Sequence, residues 1–99
     1  MSIHIRHGKL LQNFPNPFNN ATFIVYKINS SKQEHVNLSI YNVLGQKVKT
    51  ITDEFKSSGT YDYLWEAKDD NNRRVSSGTY FLILQKEREV RRTKMVLLK

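Results

Sequence analysis

The sequence predicts an all-β domain, an antiparallel sandwich or barrel of about seven short strands. Three observations predict it. Short runs of alternating apolar and polar residues recur at about ten-residue spacing. Turn formers stand between them, at Ser30-Ser31, Gly45, Ser57-Ser58-Gly59, residues 69–72 and Ser76-Ser77-Gly78. No stretch of useful length carries helical periodicity.

Ninety-nine residues make one domain, and a chain of this size buries a working core without staples. There is no cysteine, so no disulfide contributes and the redox compartment is not legible. No run is long and apolar enough for a membrane span, and no apolar region of an export signal follows Met1. Sixteen Lys and Arg against nine Asp and Glu leave a charge of +7, which favours acidic partners.

Residues 1–10 alternate weakly and read as a leader or an expression remnant, with the domain proper at 11–99. His4 and His7 stand at an H-x-x-H spacing, but no carboxylate or further His completes a metal site. Next comes Asn13-Phe14-Pro15-Asn16-Pro17-Phe18-Asn19. Each proline fixes its own φ and pushes the preceding residue toward extended geometry. The segment is therefore expected to be a stiff extended rod, with Phe14 and Phe18 plugging the end of the core.

Residues 21–29 are rich in β-branched and aromatic side chains, as a strand should be. Ile24, Tyr26 and Ile28 share one face. In residues 34–42, Val36, Leu38 and Ile40 point one way, and Asn37 and Ser39 the other. Asn42-Val43-Leu44-Gly45 is a tight turn, with Gly45 free to take positive φ. Residues 46–52 resume as a strand with Val48 inward, and 53–56 read as loop. Residues 59–67 set Tyr61, Tyr63 and Trp65 in one row; Trp65 is expected buried, its N–H meeting a backbone carbonyl. A polar loop fills 68–74. Residues 78–86 form the most apolar strand, Glu87-Arg88 a hairpin tip, and 89–99 the last strand. The pentapeptide Ser57-Ser58-Gly59-Thr60-Tyr61 recurs as Ser76-Ser77-Gly78-Thr79-Tyr80. Its repetition predicts that both strands enter the sheets at the same end.

Four blocks, in order, resemble the type A C-terminal sorting domain of type IX secretion substrates, common in Bacteroidetes. They are residues 13–19; residues 36–48 around Ile40-Tyr41-Asn42-Val43-Leu44-Gly45; Gly59 and Tyr61 through Trp65 and Asp69 to Val75, Ser77, Gly78 and Tyr80; and Lys94-Met95-Val96-Leu97-Leu98-Lys99. An immunoglobulin-like module of the flagellar hook-capping protein is similar. The chain departs from the family pattern at Asn20, where Pro is common, at Glu66-Ala67, where Asp-Gly is common, and at Asn72, where Gly is common.

The resemblance implies an immunoglobulin-like sandwich without catalysis or cofactor. It implies a domain that directs an attached N-terminal cargo, missing from this chain, across the periplasm and through an outer-membrane translocon to the cell surface or beyond. It further implies a surface sorting peptidase and an anionic lipopolysaccharide to which cargo is joined. The carried-over recognition candidates are Gly78, Tyr80, Lys94, Val96, Leu98 and Lys99. Pro15, Asn16, Pro17, Phe18, Gly45, Gly59 and Trp65 carry over as structural. The last strand is expected to offer a free edge to a receptor strand. The plainer reading places Val96 and Leu98 in the core and makes Lys94 and Lys99 edge-guarding charges.

Rival functions fit less well. An enzyme needs a nucleophile with a base, or paired carboxylates in a cleft. His35 beside Glu34 lies at a strand start, and Ser57, Ser58, Ser76 and Ser77 lie in turns. A calcium loop counted from Asp69 through Asp70, Asn71 and Asn72 has Arg74 and Tyr80 where Gly and an acid are needed. Nucleic acid would use Lys86, Arg88, Arg91, Arg92, Lys94 and Lys99, but alternation is expected to split Arg92 and Lys94 between faces; Tyr80 and Phe81 are the only nearby stacking candidates. The strongest competitor is an immunoglobulin-like adhesion or carbohydrate-binding accessory module, using Tyr41, Tyr61 or Tyr63.

Overall fold

A computed structural model describes residues 10–98. The leader's residues 1–9, with His4 and His7, and the recognition candidate Lys99 lie outside the described residues. Seven strands follow one another: β1 (Leu11–Phe14), β2 (Thr22–Ile28), β3 (Glu34–Asn42), β4 (Lys47–Lys56), β5 (Gly59–Trp65), β6 (Gly78–Lys86) and β7 (Glu89–Leu97). They form two antiparallel sheets, ordered β1-β2-β5 and β4-β3-β6-β7. This is the immunoglobulin-like sandwich, with the fourth strand beside the third.

Alternation decides what each strand buries. Ile24, Tyr26 and Ile28 of β2, Val36, Leu38 and Ile40 of β3, and Tyr80, Leu82 and Leu84 of β6 face one core. Trp65 and Phe18 join it at one end, both 1 % exposed. A fully buried side chain of this kind stabilises by about 1.5–3 kcal/mol relative to exposure. Burial pushes the Tyr26 phenol up to about 12, and the neighbouring Tyr61 phenol adds to the effect.

Four local expectations change. Residues 53–56 are not loop: β4 runs through them to Lys56, paired with Glu34. Their polar composition reflects an edge strand, where Asp53 meets His35 at 2.8 Å and Phe55 packs edge-on against the His35 ring. Leu11–Phe14 forms a strand of its own, paired with Tyr26 through Phe23 of β2, and Leu11 is buried.

The proline segment is not an extended rod. Both Phe14–Pro15 and Asn16–Pro17 are cis, and residues 15–17 bend. The bend carries the chain from the edge of one sheet to the edge of the other. Phe18 then bridges Leu97 in parallel, its N–H donating to the Val96 carbonyl at 2.9 Å. Phe18 plugs the core end as expected, whereas Phe14 is only half-buried.

The repeated pentapeptides do not start at the same end. Tyr61, at the start of β5, stacks on Tyr26. Tyr80, at the start of β6, packs edge-on against Trp65, which ends β5. What repeats is a local bond. The Tyr61 hydroxyl donates to the Ser57 carbonyl at 2.7 Å, and the Tyr80 hydroxyl to the Ser76 carbonyl at 2.5 Å. Each tyrosine pins the turn that precedes its strand, in the manner of the tyrosine corner of immunoglobulin-type domains.

Candidate functional site

One end of the sandwich, here the terminal pole, gathers most of the residues of the four blocks. The Phe18, Trp65 and Tyr80 rings pack there in series, with centroid separations of 5.7 and 5.6 Å. The Trp65 indole N–H donates to the Lys68 carbonyl at 2.9 Å, as its burial demands. Above the rings sit the hairpin tip Val43-Leu44, both exposed, and the loop after β5. Together with Gly78 and Tyr80 they line an open depression of about 450 Å³.

That loop is closed by one of its acids and tied to β4 by the other. Asp69 accepts the backbone N–H groups of Asn71 and Arg73 on one carboxylate oxygen, at 2.9 and 3.0 Å. Asp70 accepts from the Thr50 N–H at 3.2 Å and lies 3.9 Å from Lys49. Asp69 thus closes the loop and Asp70 fastens it to β4, and no group of three or more potential metal ligands occurs among the described residues. The departures from the family pattern fall at telling positions. Ala67 has φ 59° and Asn72 φ 63°, the left-handed region that glycine takes most easily. Asn72 is suited to it, whereas the buried Ala67 carries a methyl there at some steric cost.

The edge of β7 at this pole is already occupied. The Asn16 side chain donates to the Lys94 carbonyl at 2.9 Å and accepts from the Val96 N–H at 3.0 Å. The Leu98 N–H donates to the Phe18 carbonyl at 2.7 Å. The Thr22 hydroxyl, wholly buried, fastens the bend from behind by donating to the Pro15 carbonyl at 2.8 Å. The expected free edge over residues 94–98 is therefore capped by the chain's own proline strap. The plainer reading of this block also changes, because Met95 and Leu97 are the core residues. Lys94 and Leu98 are exposed and Val96 is half-buried, all on the outer face.

Among the recognition candidates, Lys94, Val96 and Leu98 have outward side chains, Val96 only half-exposed. Tyr80 is 5 % exposed and holds the loop in place; Gly78, with φ 146°, pairs with Leu97 at the start of β6. Gly59 and Tyr61 stand apart, at the opposite pole.

Sequence reasoning missed one arrangement. Arg92 and Lys94 share a face, opposite Ile83 and Phe81. The register across the four-stranded sheet sets Lys47, Tyr41, Phe81 and Lys94 in one row, two aromatics between two lysines. The two-residue period of β7 carries that signal, since 92 and 94 have the same parity. Tyr61 and Tyr63 pack half-buried against the core, which leaves Tyr41 as the outward tyrosine of the three sugar-platform candidates.

A family model described as the secretion system C-terminal sorting domain matches residues 12–98. No curated protein matches the chain significantly. Two solved structures from Porphyromonas gingivalis share its fold. One is PorZ, an essential bacterial surface component of the type-IX secretion system, at TM-score 0.63 and 16 % identity over 90 % of this chain and 11 % of that one. The other is dimeric latent PorU, at TM-score 0.68 and 15 % identity over 89 % of this chain and 9 % of that one. The chain thus spans about a tenth of the length of each. With the match running from β1 past the end of β7, the chain belongs to the secretion system C-terminal sorting domain family, the sorting signals of type IX secretion.

Proposed function

We propose that the terminal pole is the part of the signal that an outer-membrane translocon reads, and that the outward side chains of Lys94, Val96 and Leu98, together with the residue Lys99 that follows them, make the contact. Gly78 and Tyr80 act behind them by fixing the loop and the start of β6. The observation that carries this reading is the convergence of the strap, the Val43-Leu44 tip, the loop after β5 and the last strand on one end. β1 enters from the opposite end, so a cargo preceding the domain would trail away from the surface being read.

On this reading the domain is a non-catalytic address. The precursor passes through the periplasm and crosses the outer membrane; at the surface a sorting peptidase removes the domain, and the cargo is joined to an anionic lipopolysaccharide. An accessory carbohydrate-binding module is the competing reading, and the Tyr41–Phe81 pair between lysines is what favours it.

The test is export of a fluorescent reporter fused ahead of this domain in a host with a working type IX system. Deleting the last six residues would remove Met95 and Leu97 from the core and confuse recognition with folding. Lys94→Glu, Val96→Ser and Leu98→Ser together leave those two in place. Surface display of the parent fusion, with the triple variant folded but held in the periplasm, is the expected result. Equal display of both removes the terminal residues from recognition. Retention of both, in a host exporting its own substrates, ends the sorting proposal and leaves the carbohydrate module.

A further inference from the structure

The strap covers only the last part of the β7 edge. β7 pairs with β6 in unbroken register from Glu89 to Leu97. The backbone groups of Lys94, Val96 and Leu98 that meet the strap point away from β6. By the alternation of an antiparallel ladder, the N–H and C=O of Val90 and Arg92 point the same way, as does the Lys94 N–H. Among the described residues no backbone group bonds to them. The other edges differ. β4 shifts register twice, which blunts it, and β1 has four residues. β5 is regular but carries the carboxylate of Asp62.

The side chains along the open stretch are cationic. Arg92 and Lys94 are exposed on the outer face and make no ion pair among the described residues, whereas Arg91 is held by Glu89. Positive charge on an edge strand discourages pairing with an identical edge. It has the opposite effect on an acidic strand, because opposite charges directly across a ladder attract. The net charge of +7 adds longer-range attraction to the same partner.

We propose that residues 90–94 of β7 take an extended acidic segment of a partner protein as an added strand. Acids two positions apart would lie across from Arg92 and Lys94, on the side of β7 away from Phe81 and Ile83. The added strand would continue the sheet up to where Asn16 begins. A glycan or a nucleic acid could meet the charges, but neither repeats backbone donors and acceptors at strand spacing. The inference goes beyond the sorting reading, because it stands on the edge itself and needs no export assay.

The experiment is an amide NMR titration of the whole chain with an acetylated heptapeptide alternating glutamate and valine. Parallel titrations use the lysine–valine analogue, the acidic peptide N-methylated at alternate amides, dextran sulfate and octathymidylate. The acidic peptide is expected to shift the Arg92 and Lys94 amides and slow their exchange. The N-methylated and lysine peptides should bind at least tenfold more weakly. Arg92→Glu with Lys94→Glu should weaken the acidic peptide at least tenfold while the Met95 and Leu97 amides keep their positions. Absence of shifts at Arg92 and Lys94 overturns the proposal. So does equal affinity for dextran sulfate or octathymidylate, which would make this a polyanion surface, and so does an edge already closed by self-association.

Discussion

The two ends of the sandwich are built by different means. The terminal pole is held by rings and long-range backbone bonds: Phe18 on Trp65 on Tyr80, with the strap sewn to β7. The opposite pole has one ring pair, Tyr61 on Tyr26, and is otherwise held by polar and cation contacts of shorter reach. There Lys86, only 7 % exposed, meets Glu89 at 2.9 Å, the Lys56 ammonium sits 4.5 Å from the Tyr61 ring centre, and Gln33 reaches Ser57. The difference teaches where the chain invests its specificity. One end encodes a surface that exists only when distant segments meet. The other closes the β6–β7 hairpin and the β4–β5 turn mostly with contacts a few residues apart, and ties that turn across to Gln33 and Tyr26.

The contrast breaks most visibly at Trp65. Trp65→Ala is expected to cost about 3–5 kcal/mol and to lower the melting temperature by on the order of 15 °C, read by calorimetry. A loss below about 1 kcal/mol would show that the ring series is not the keystone of that pole. Asn16→Ala removes two bonds to the β7 edge and should cost about 1–2 kcal/mol. Hydrogen exchange at Val96 should accelerate selectively, with Leu82 unchanged.

The opposite pole should show its character in acid. Hydrogen bonds from Lys86 and Arg91 hold the Glu89 carboxyl below its ordinary value. Its contribution is therefore complete above the unfolded-state carboxylate range and is lost as pH falls through the depressed folded value. Glu89→Gln should cost about 1 kcal/mol near neutrality and flatten that part of the acid limb of stability against pH. The smallest effect sharpens the comparison within one motif. Tyr80→Phe, at a part-buried hydroxyl, should cost about 1 kcal/mol, and Tyr61→Phe, at an exposed one, about half that. Equal losses by chemical denaturation would make the two corners equivalent.

Most of the core was legible because its strands alternate cleanly. Residues 22–28 and 34–42 each bury the face set by Ile24, Tyr26 and Ile28 and by Val36, Leu38 and Ile40, residues 78–86 form a strand as expected, and the Trp65 N–H finds a carbonyl as a buried indole must. What was not legible is where tertiary contacts override local chemistry. Prolines read as rod because trans geometry is the default, yet the bend that joins the sheets is set by Thr22, Asn16 and β7. β1 is four residues with a polar centre, too short to show a period. The Ser-Ser-Gly-Thr-Tyr echo encodes a hydrogen bond, not a direction, so it could not say which end each strand enters. In the terminal block the apolar run from Met95 to Leu98 hides its parity, and only pairing with Gly78 and Tyr80 shows that 95 and 97 face inward.

The strap has one more consequence, for the order in which the molecule comes into being. Asn16 and Val96 are 80 positions apart, so their bond spans nearly the whole chain. A polypeptide leaving the ribosome holds the strap long before it holds the strand the strap must grip. Until the last residues emerge, Phe18 has no partner strand and the ring series has no lid. A product broken off before β7 cannot close the terminal pole, so if that pole is the surface read, as proposed above, such a product would go unread.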